Sequence, residues 1–229
     1  MIRISFFFLL LFVLSEMIST AQATEFVRTK GRMSDTDFYR AVSCAAPPGG
    51  ECQRRILRWS KDKRGDITVG IWRIDDGYPS KSRRIAMAAL LNAIKEINGV
   101  GSSVQLRLVD DRTPDIKVML IDGAIAREAT SDGTLKDFAL LDGAGGMARV
   151  YSGRKRGIID RAEVMLTNDL PDNTINSVML EEVIQSLGLL TDIHNRYYAK
   201  RSIFSEIGSR VTRLKGQDAK TLLLHYPAN

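Results

Sequence analysis

The stretch Glu181–Asp192, EEVIQSLGLLTD, decides how this chain is read. It keeps the spacing of a zinc-binding helix, H-E-x-x-H-x-x-G-x-x-H, with Glu182 and Gly188 in register. Residues four apart share one helix face, so two histidines at that spacing can aim at one metal ion. A glutamate after the first can then polarise a water, and a glycine one turn later lets the chain bend back with a third ligand. Here Glu181, Gln185 and Thr191 stand at the three histidine positions. The stretch therefore reads as an oxygen-ligand metal site, as a hydrolase helix without its metal, or as an ordinary amphipathic helix.

The helical pattern itself favours the last of these. Leu180, Val183, Ile184 and Leu187 form an apolar arc, and Glu181, Glu182 and Gln185 fall on the opposite polar arc, as on a surface helix. Adjacent Glu181 and Glu182 differ by about 100° around the axis, so their carboxylates do not automatically converge. If the polar residues do form a site, its all-oxygen donor set suits calcium, magnesium or manganese better than zinc. Glu182 is then the candidate general base, and Glu181, Gln185 and Asp192 are the candidate metal or substrate ligands. No His-based zinc site is expected, and the reading leaves room for a divalent cation.

Outward from this stretch, the 229-residue chain fits one domain with an arm. With 44% hydrophobic and 26% charged residues it can bury a core. The start, MIRISFFFLLLFVLSEMISTAQATEF, carries Arg3, then an apolar run of about eleven residues that is short for a bilayer span. Ala21-Gln22-Ala23 has the small-x-small form of a signal-peptidase site, so residues 1–23 read as a signal peptide cleaved after Ala23. The alternative is an uncleaved anchor. Export to the periplasm or medium, with no stable membrane span after cleavage, is the expectation.

Export bears on Cys44 and Cys52, which bracket the loop AAPPGGE in a 24–53 arm. In an oxidising compartment they read as a disulfide, with two free thiols as the alternative. The net charge of +6 survives cleavage, because Arg3 and Glu16 cancel. Basic clusters at Arg54, Arg55 and Arg58, at Lys81, Arg83 and Arg84, and at Arg154-Lys155-Arg156 suit an anionic envelope polymer. An envelope protein or peptide is the other class of partner. No nucleic-acid motif accompanies the charge, and nucleic acid is not expected.

From Arg54 the alternation of ITVGIWR (67–73) predicts a strand. Residues 81–98 predict a helix capped by Ser80, with Met87, Leu90, Leu91, Ile94 and Ile97 as its buried stripe and Gly99 as a left-handed stop. VQLRLV (104–109) and IKVMLI (116–121) predict strands, with DDRTPD reversing the chain between them. Gly143, Gly145 and Gly146 lack the Lys-Ser/Thr of a phosphate loop and read as a flexible loop. Ala148–Tyr151 predicts a short edge strand and IIDRAEVML (158–166) another. The motif helix spans 174–187 with Asp172 or Asn173 as cap, and a last helix spans 218–226. Strands and helices mixed in this order give an α+β or mixed α/β class.

From Arg58-Trp59 onward the chain also resembles the exported bacterial family known as domain of unknown function 2927. The resemblance rests on RW, GIIDRAEVML, LEEVIQSLGLLTD, RSIFSE and LLLHYP in that order. That family is similar to zincin-type metallopeptidases, with Glu-Glu-x-x-Gln in place of His-Glu-x-x-His. The resemblance implies a zincin-like (metzincin-type) α+β domain over 54–229: a twisted mixed sheet, a backing helix at 81–98, and the motif helix beneath a cleft. Thr191 stands where the family has Asn, which puts a ligand role for Thr191 in doubt. His194 and His225 are the only histidines. His194 reads as a loop residue within reach of the site, His225 as a packing or surface residue, and Ile203 and Phe204 as hydrophobic plugs under the cleft. The functional expectation is a binding or non-catalytic envelope protein. The alternatives are a hydrolase of peptide or cell-wall amide bonds using Glu182, and a basic adhesive protein.

Overall fold

Half-buried and fully buried strands require different residues, and the chain supplies both. In a computed structural model of the protein, which describes residues 20–22, 26–110, 113–124, 145–153, 157–208 and 210–228, the strands are β1 (Thr20–Gln22), β2 (Phe26–Arg28), β3 (Arg58–Trp59), β4 (Ile67–Ile74), β5 (Leu106–Leu108), β6 (Ile116–Ile121), β7 (Gly146–Ser152), β8 (Ile158–Thr167) and β9 (Asp192–His194). The helices are α1 (Asp35–Cys44), α2 (Ser80–Asn98), α3 (Ile175–Gln185) and α4 (Gly216–His225). Seven strands form one sheet in the order β1-β7-β8-β6-β4-β5, with β3 also joined to β8. Strands β3, β4, β5, β6 and β8 pair in parallel, whereas β7 runs antiparallel to β8 and to β1. The fold is thus a mixed α/β arrangement. β2 and β9 make a separate parallel pair.

The central strands β6 and β8 are apolar on both faces, as strands covered on both sides must be. Ile116, Val118 and Leu120 enter the main core beneath α2 and α3, while Met119 and Ile121 meet Met147 and Met165 in a second cluster. α1 is part of the main core, with Phe38, Ala41 and Val42 fully buried. Its start is capped by Ser34, whose Oγ accepts from the Asp37 N–H at 3.0 Å. The Cys44–Cys52 disulfide is formed and closes the loop after α1.

Several local expectations change. α2 buries Ser82, Ala86, Ala89, Leu90, Ala93 and Ile97, and leaves Leu91 54% exposed. Its buried face is rotated onto alanines, because α2 packs on α3 as well as on the sheet and small residues let the two helices approach. Pro79, not Ser80, precedes the helix, and Gly99 keeps right-handed backbone (φ −69°). DDRTPD does not reverse the chain, since β5 and β6 both run parallel to β4 on its two sides. The link passes over β4 at Gly70, where a Cβ would stand 2.8 Å from the Val109 carbonyl oxygen. Gly146 begins β7 rather than lying in a loop, and Gly145 accepts the Thr167 N–H at 3.0 Å. α3 starts at Ile175 after Thr174, and Asp172 instead pairs with Lys81 at 2.7 Å and Ser82 at 2.8 Å. The predicted 122–144 loop beyond Ala124, the cluster 154–156, and residues 1–19 and 23 lie outside the described residues. No helix among the described residues is long and apolar enough to cross a membrane.

Candidate functional site

α3 is not a surface helix. It lies between α2 and strands β7 and β8, so its supposedly polar arc is covered as well. Leu180, Val183, Ile184 and Leu187 are fully buried, each contributing on the order of 1.5–3 kcal/mol. Glu182 is only 6% exposed and Gln185 only 2%. The amphipathic-helix reading fails because a sequence pattern marks one apolar arc but cannot show that a strand covers the other.

β7 sets the position of Glu182. The carboxyl accepts a hydrogen bond from the Ala148 backbone N–H, and a Cβ on Gly146 would come within 2.9 Å of Oε1. Gly146 therefore leaves room for this side chain. The other oxygen, Oε2, is buried without a hydrogen-bond partner. One turn on, Gln185 Nε2 donates to Asp192 Oδ1 at 3.1 Å. Glu181 and Asp192 retain some solvent contact.

The carboxyls act on one another. Burial raises Glu182 well above the usual carboxylate value, Asp192 adds to it, and the Ala148 bond opposes it. Burial also raises Glu181, reinforced by Asp192, Glu182, Glu206 and Asp218. Asp192 is pushed up to about 8, by burial first and Glu206 second, against the bond from Gln185. Among the described residues, no lysine or arginine is one of the leading influences on these three. Crowding and burial thus bias Glu181, Glu182 and Asp192 toward their protonated forms, in which a carboxyl can donate a hydrogen bond. Glu206, within the RSIFSE stretch, is a neighbouring charge that no pattern in the sequence assigns to the site. The Ile193–Ser205 bridge and the Glu206 N–H bond to the Ile193 carbonyl (3.2 Å) bring it beside β9.

Two clamps hold the end of α3 and the chain after it. Trp59 Nε1 donates to the Ser186 carbonyl at 3.1 Å, and Tyr226 Oη donates to the Leu187 carbonyl at 2.7 Å. Gly188 then turns with φ +98°, where a Cβ would lie 2.0 Å from the Leu57 carbonyl oxygen. Glycine is required there, as the motif spacing predicts. Farther on, buried Asp218 accepts from Ser202 Oγ (2.7 Å) and the Ile203 N–H (3.0 Å), seating the fully buried Ile203 and Phe204. Burial lifts Asp218 to about 6 in spite of these bonds.

The histidines do not join the carboxyls. His194 Nδ1 bonds Arg28 Nη1 at 2.9 Å and its ring meets Phe26 edge-on at 5.3 Å, so it faces β2. His225 is buried, with Nε2 bonded to the Leu57 carbonyl at 2.9 Å and a pKa lowered to about 3, by burial first and then by Arg58. Thr191 is buried and its N–H bonds the Val42 carbonyl at 3.1 Å, a packing role. Glu181, Gln185 and Thr191 offer zinc no imidazole or thiolate, so a catalytic zinc does not fit these residues. A hard cation suits the oxygens better. Yet Glu182 is turned to β7 and Gln185 presents its amide N–H to Asp192. Among the described residues, no three of His, Cys, Asp and Glu stand close enough together to hold a metal ion.

No curated protein matches the chain. Among solved structures it is similar to two of myroilysin. One has 12% identity over 89% of this chain and 92% of that one, with a TM-score of 0.39. The other has 14% identity over 88% of this chain and 100% of that one, with a TM-score of 0.41. The family model described as "Protein of unknown function (DUF2927)" matches residues 35–228, which is most of the chain, and the chain belongs to that family.

Proposed function

We propose that this is an exported binding domain on a zincin-like plan, in which the Glu-Glu-x-x-Gln helix organises the fold and does not carry out metal-dependent hydrolysis. The observation that carries the reading is the engagement of the motif's own polar groups. Glu182 is held by β7 through the Ala148 N–H, and Gln185 is held by Asp192. These are the positions a zinc hydrolase would leave open to metal and water. The Cys44–Cys52 disulfide supports an oxidising compartment, and with it export.

The second reading is a hydrolase acting on peptide or cell-wall amide bonds. It is favoured by Glu182 Oε2, a buried carboxyl oxygen without a partner and with a raised pKa. Burial biases a carboxyl so placed toward its protonated form, which suits it to act as a general acid.

One experiment separates the two. The mature protein, prepared without chelator or tag histidines and dialysed against zinc, calcium or manganese, is examined for metal by elemental mass spectrometry. A Glu181→Ala/Gln185→Ala variant is examined beside it, and both are assayed on peptide and cell-wall fragment mixtures. The binding reading expects no stoichiometric metal and no turnover. Stoichiometric metal lost in the variant, or turnover abolished by Glu182→Gln, overturns it in favour of the hydrolase.

A further inference from the structure

Pairing of β2 with β9 (Phe26↔Asp192 to Arg28↔His194) brings residues 26–33 against residues 194–201. The seam is tightly built. Buried Asn195 donates from Nδ2 to Thr29 Oγ1 and to the Gly31 carbonyl, both at 2.7 Å. Buried Tyr198 accepts the Met33 N–H at 2.8 Å and donates to Gln217 Oε1 at 3.0 Å. On this floor Tyr197 stands up as a ridge, 36% exposed, and is the first of two neighbouring tyrosines. Its ring is held edge-on by Tyr198 at 5.0 Å. Arg201 lies 5.0 Å from its centroid and is tied to the Tyr197 carbonyl at 2.7 Å.

A cavity opens on each side of this ridge. One, of about 630 Å³, is lined by Arg28, Lys30 and Arg196 together with Ile207, and by no acidic residue. The other, of about 270 Å³, is lined by Arg32, Arg201, Lys215 and Lys220 at the start of α4. The acids near the second cavity are already engaged. Asp218 is bonded to Ser202 and Ile203, and Asp35 takes Lys220 at 2.7 Å and Arg32 at 3.9 Å. Lys30, Arg196 and Lys215 make no ion pair among the described residues. Charge is thus left over in two open hollows that share the ring of Tyr197, one face of which Arg201 covers.

We propose that this double cavity binds an extended acidic polysaccharide, one sugar ring lying on Tyr197 and carboxylates of its neighbours entering the two cationic hollows. The proposal deepens the binding reading above and rests on it. A pyranose ring presents a face of C–H groups, which the electron-rich face of tyrosine attracts, while guanidinium and ammonium groups meet carboxylates. Two cationic hollows sharing one aromatic ring suit a chain molecule that repeats both features. A bilayer surface presents head groups in one plane and does not enter hollows on both sides of a ridge.

The test is calorimetric titration of the full mature protein with short oligogalacturonate. Controls are a neutral maltooligosaccharide, polyphosphate, and vesicles of phosphatidylglycerol. Oligogalacturonate is expected to bind with an affinity that falls as salt rises, and the neutral sugar is not expected to bind. Tyr197→Ala should weaken binding about tenfold without altering charge, Tyr197→Phe should retain it, and Lys30→Ser/Arg196→Ser should weaken it by at least about tenfold. Unchanged thermal midpoints check that these exposed positions leave the fold intact. The proposal is overturned if Tyr197→Ala binds like wild type. It is also overturned if polyphosphate or vesicles bind and oligogalacturonate does not. Glu182→Gln serves as the independent arm, because a hydrolase would lose turnover in it while oligogalacturonate affinity stayed the same.

Discussion

Replacing Asp192 with Asn should make the protein more stable, by an amount set by how far folding displaces this one pKa. A carboxyl raised on folding holds its proton in the native state and loses it in the unfolded chain. Its full contribution is present below the usual value of 3.8 and drains away as pH rises toward about 8, the value Asp192 reaches in the fold. At pH 7 the gap from 3.8, at about 1.36 kcal/mol per unit, corresponds to about 4 kcal/mol of native-state cost. Asn keeps the shape and the Oδ1 acceptor that Gln185 Nε2 uses, and it carries no charge in either state. It also removes the second-largest influence raising Glu181 and Glu182. Urea unfolding at pH 7 should therefore show a gain approaching about 4 kcal/mol, or roughly 10 °C in thermal midpoint. The gain should shrink to about 2 kcal/mol at pH 5, because the pH then lies only a little above the unfolded value of 3.8 and holding the proton costs less. Wild-type stability should fall between about pH 7.5 and pH 8, where His225, with an ordinary value of 6.5, is almost wholly deprotonated in both states. If Asp192→Asn is no more stable than wild type at pH 8, or its advantage is the same at pH 5 and pH 8, then Asp192 is not held neutral by burial and the electrostatic account of the site is wrong.

Other substitutions probe the frame around the site. His225, lowered from 6.5 to about 3, should oppose folding as pH falls through that interval, because the unfolded chain takes up the proton that the native state refuses. Its replacement by Gln should flatten the acid limb of a pH–stability profile read by circular dichroism. Gly188→Ala combines a φ of +98° with a Cβ 2.0 Å from the Leu57 carbonyl oxygen. A loss of at least about 3 kcal/mol, or no folded protein in a solubility assay, is expected. Cys44→Ser/Cys52→Ser should lower stability by about 2–3 kcal/mol in urea unfolding, since the bridge restrains a short loop in the unfolded chain.

The fold was legible wherever period and composition coincide with burial. Alternation in ITVGIWR and the apolar run IKVMLI became β4 and β6 within a residue or so, because a period of two marks a half-buried strand and a short unbroken apolar run marks one covered on both faces. The buried stripe of α2 was misjudged for a reason equally physical. Leu and Met are the stronger hydrophobic signals, but contact with both a helix and a sheet selected the alanine face. The link DDRTPD looked like a reversal, and only the placement of β4 between β5 and β6 shows that it crosses a strand.

The same division holds for the site. Sequence alone determined that no imidazole or thiolate stands at Glu181, Gln185 or Thr191, and that a glycine belongs at 188. Both follow from side-chain chemistry and backbone sterics, which neighbours in space do not alter. Tertiary structure decided that Glu182 and Gln185 are buried, that Ala148 and Asp192 hold them, and that Glu206 comes from far along the chain to share their field. It also decided that the leftover positive charge gathers on either side of Tyr197. Burial and the fields of distant charges depend on which segments meet, and residue order along the chain does not contain that distance.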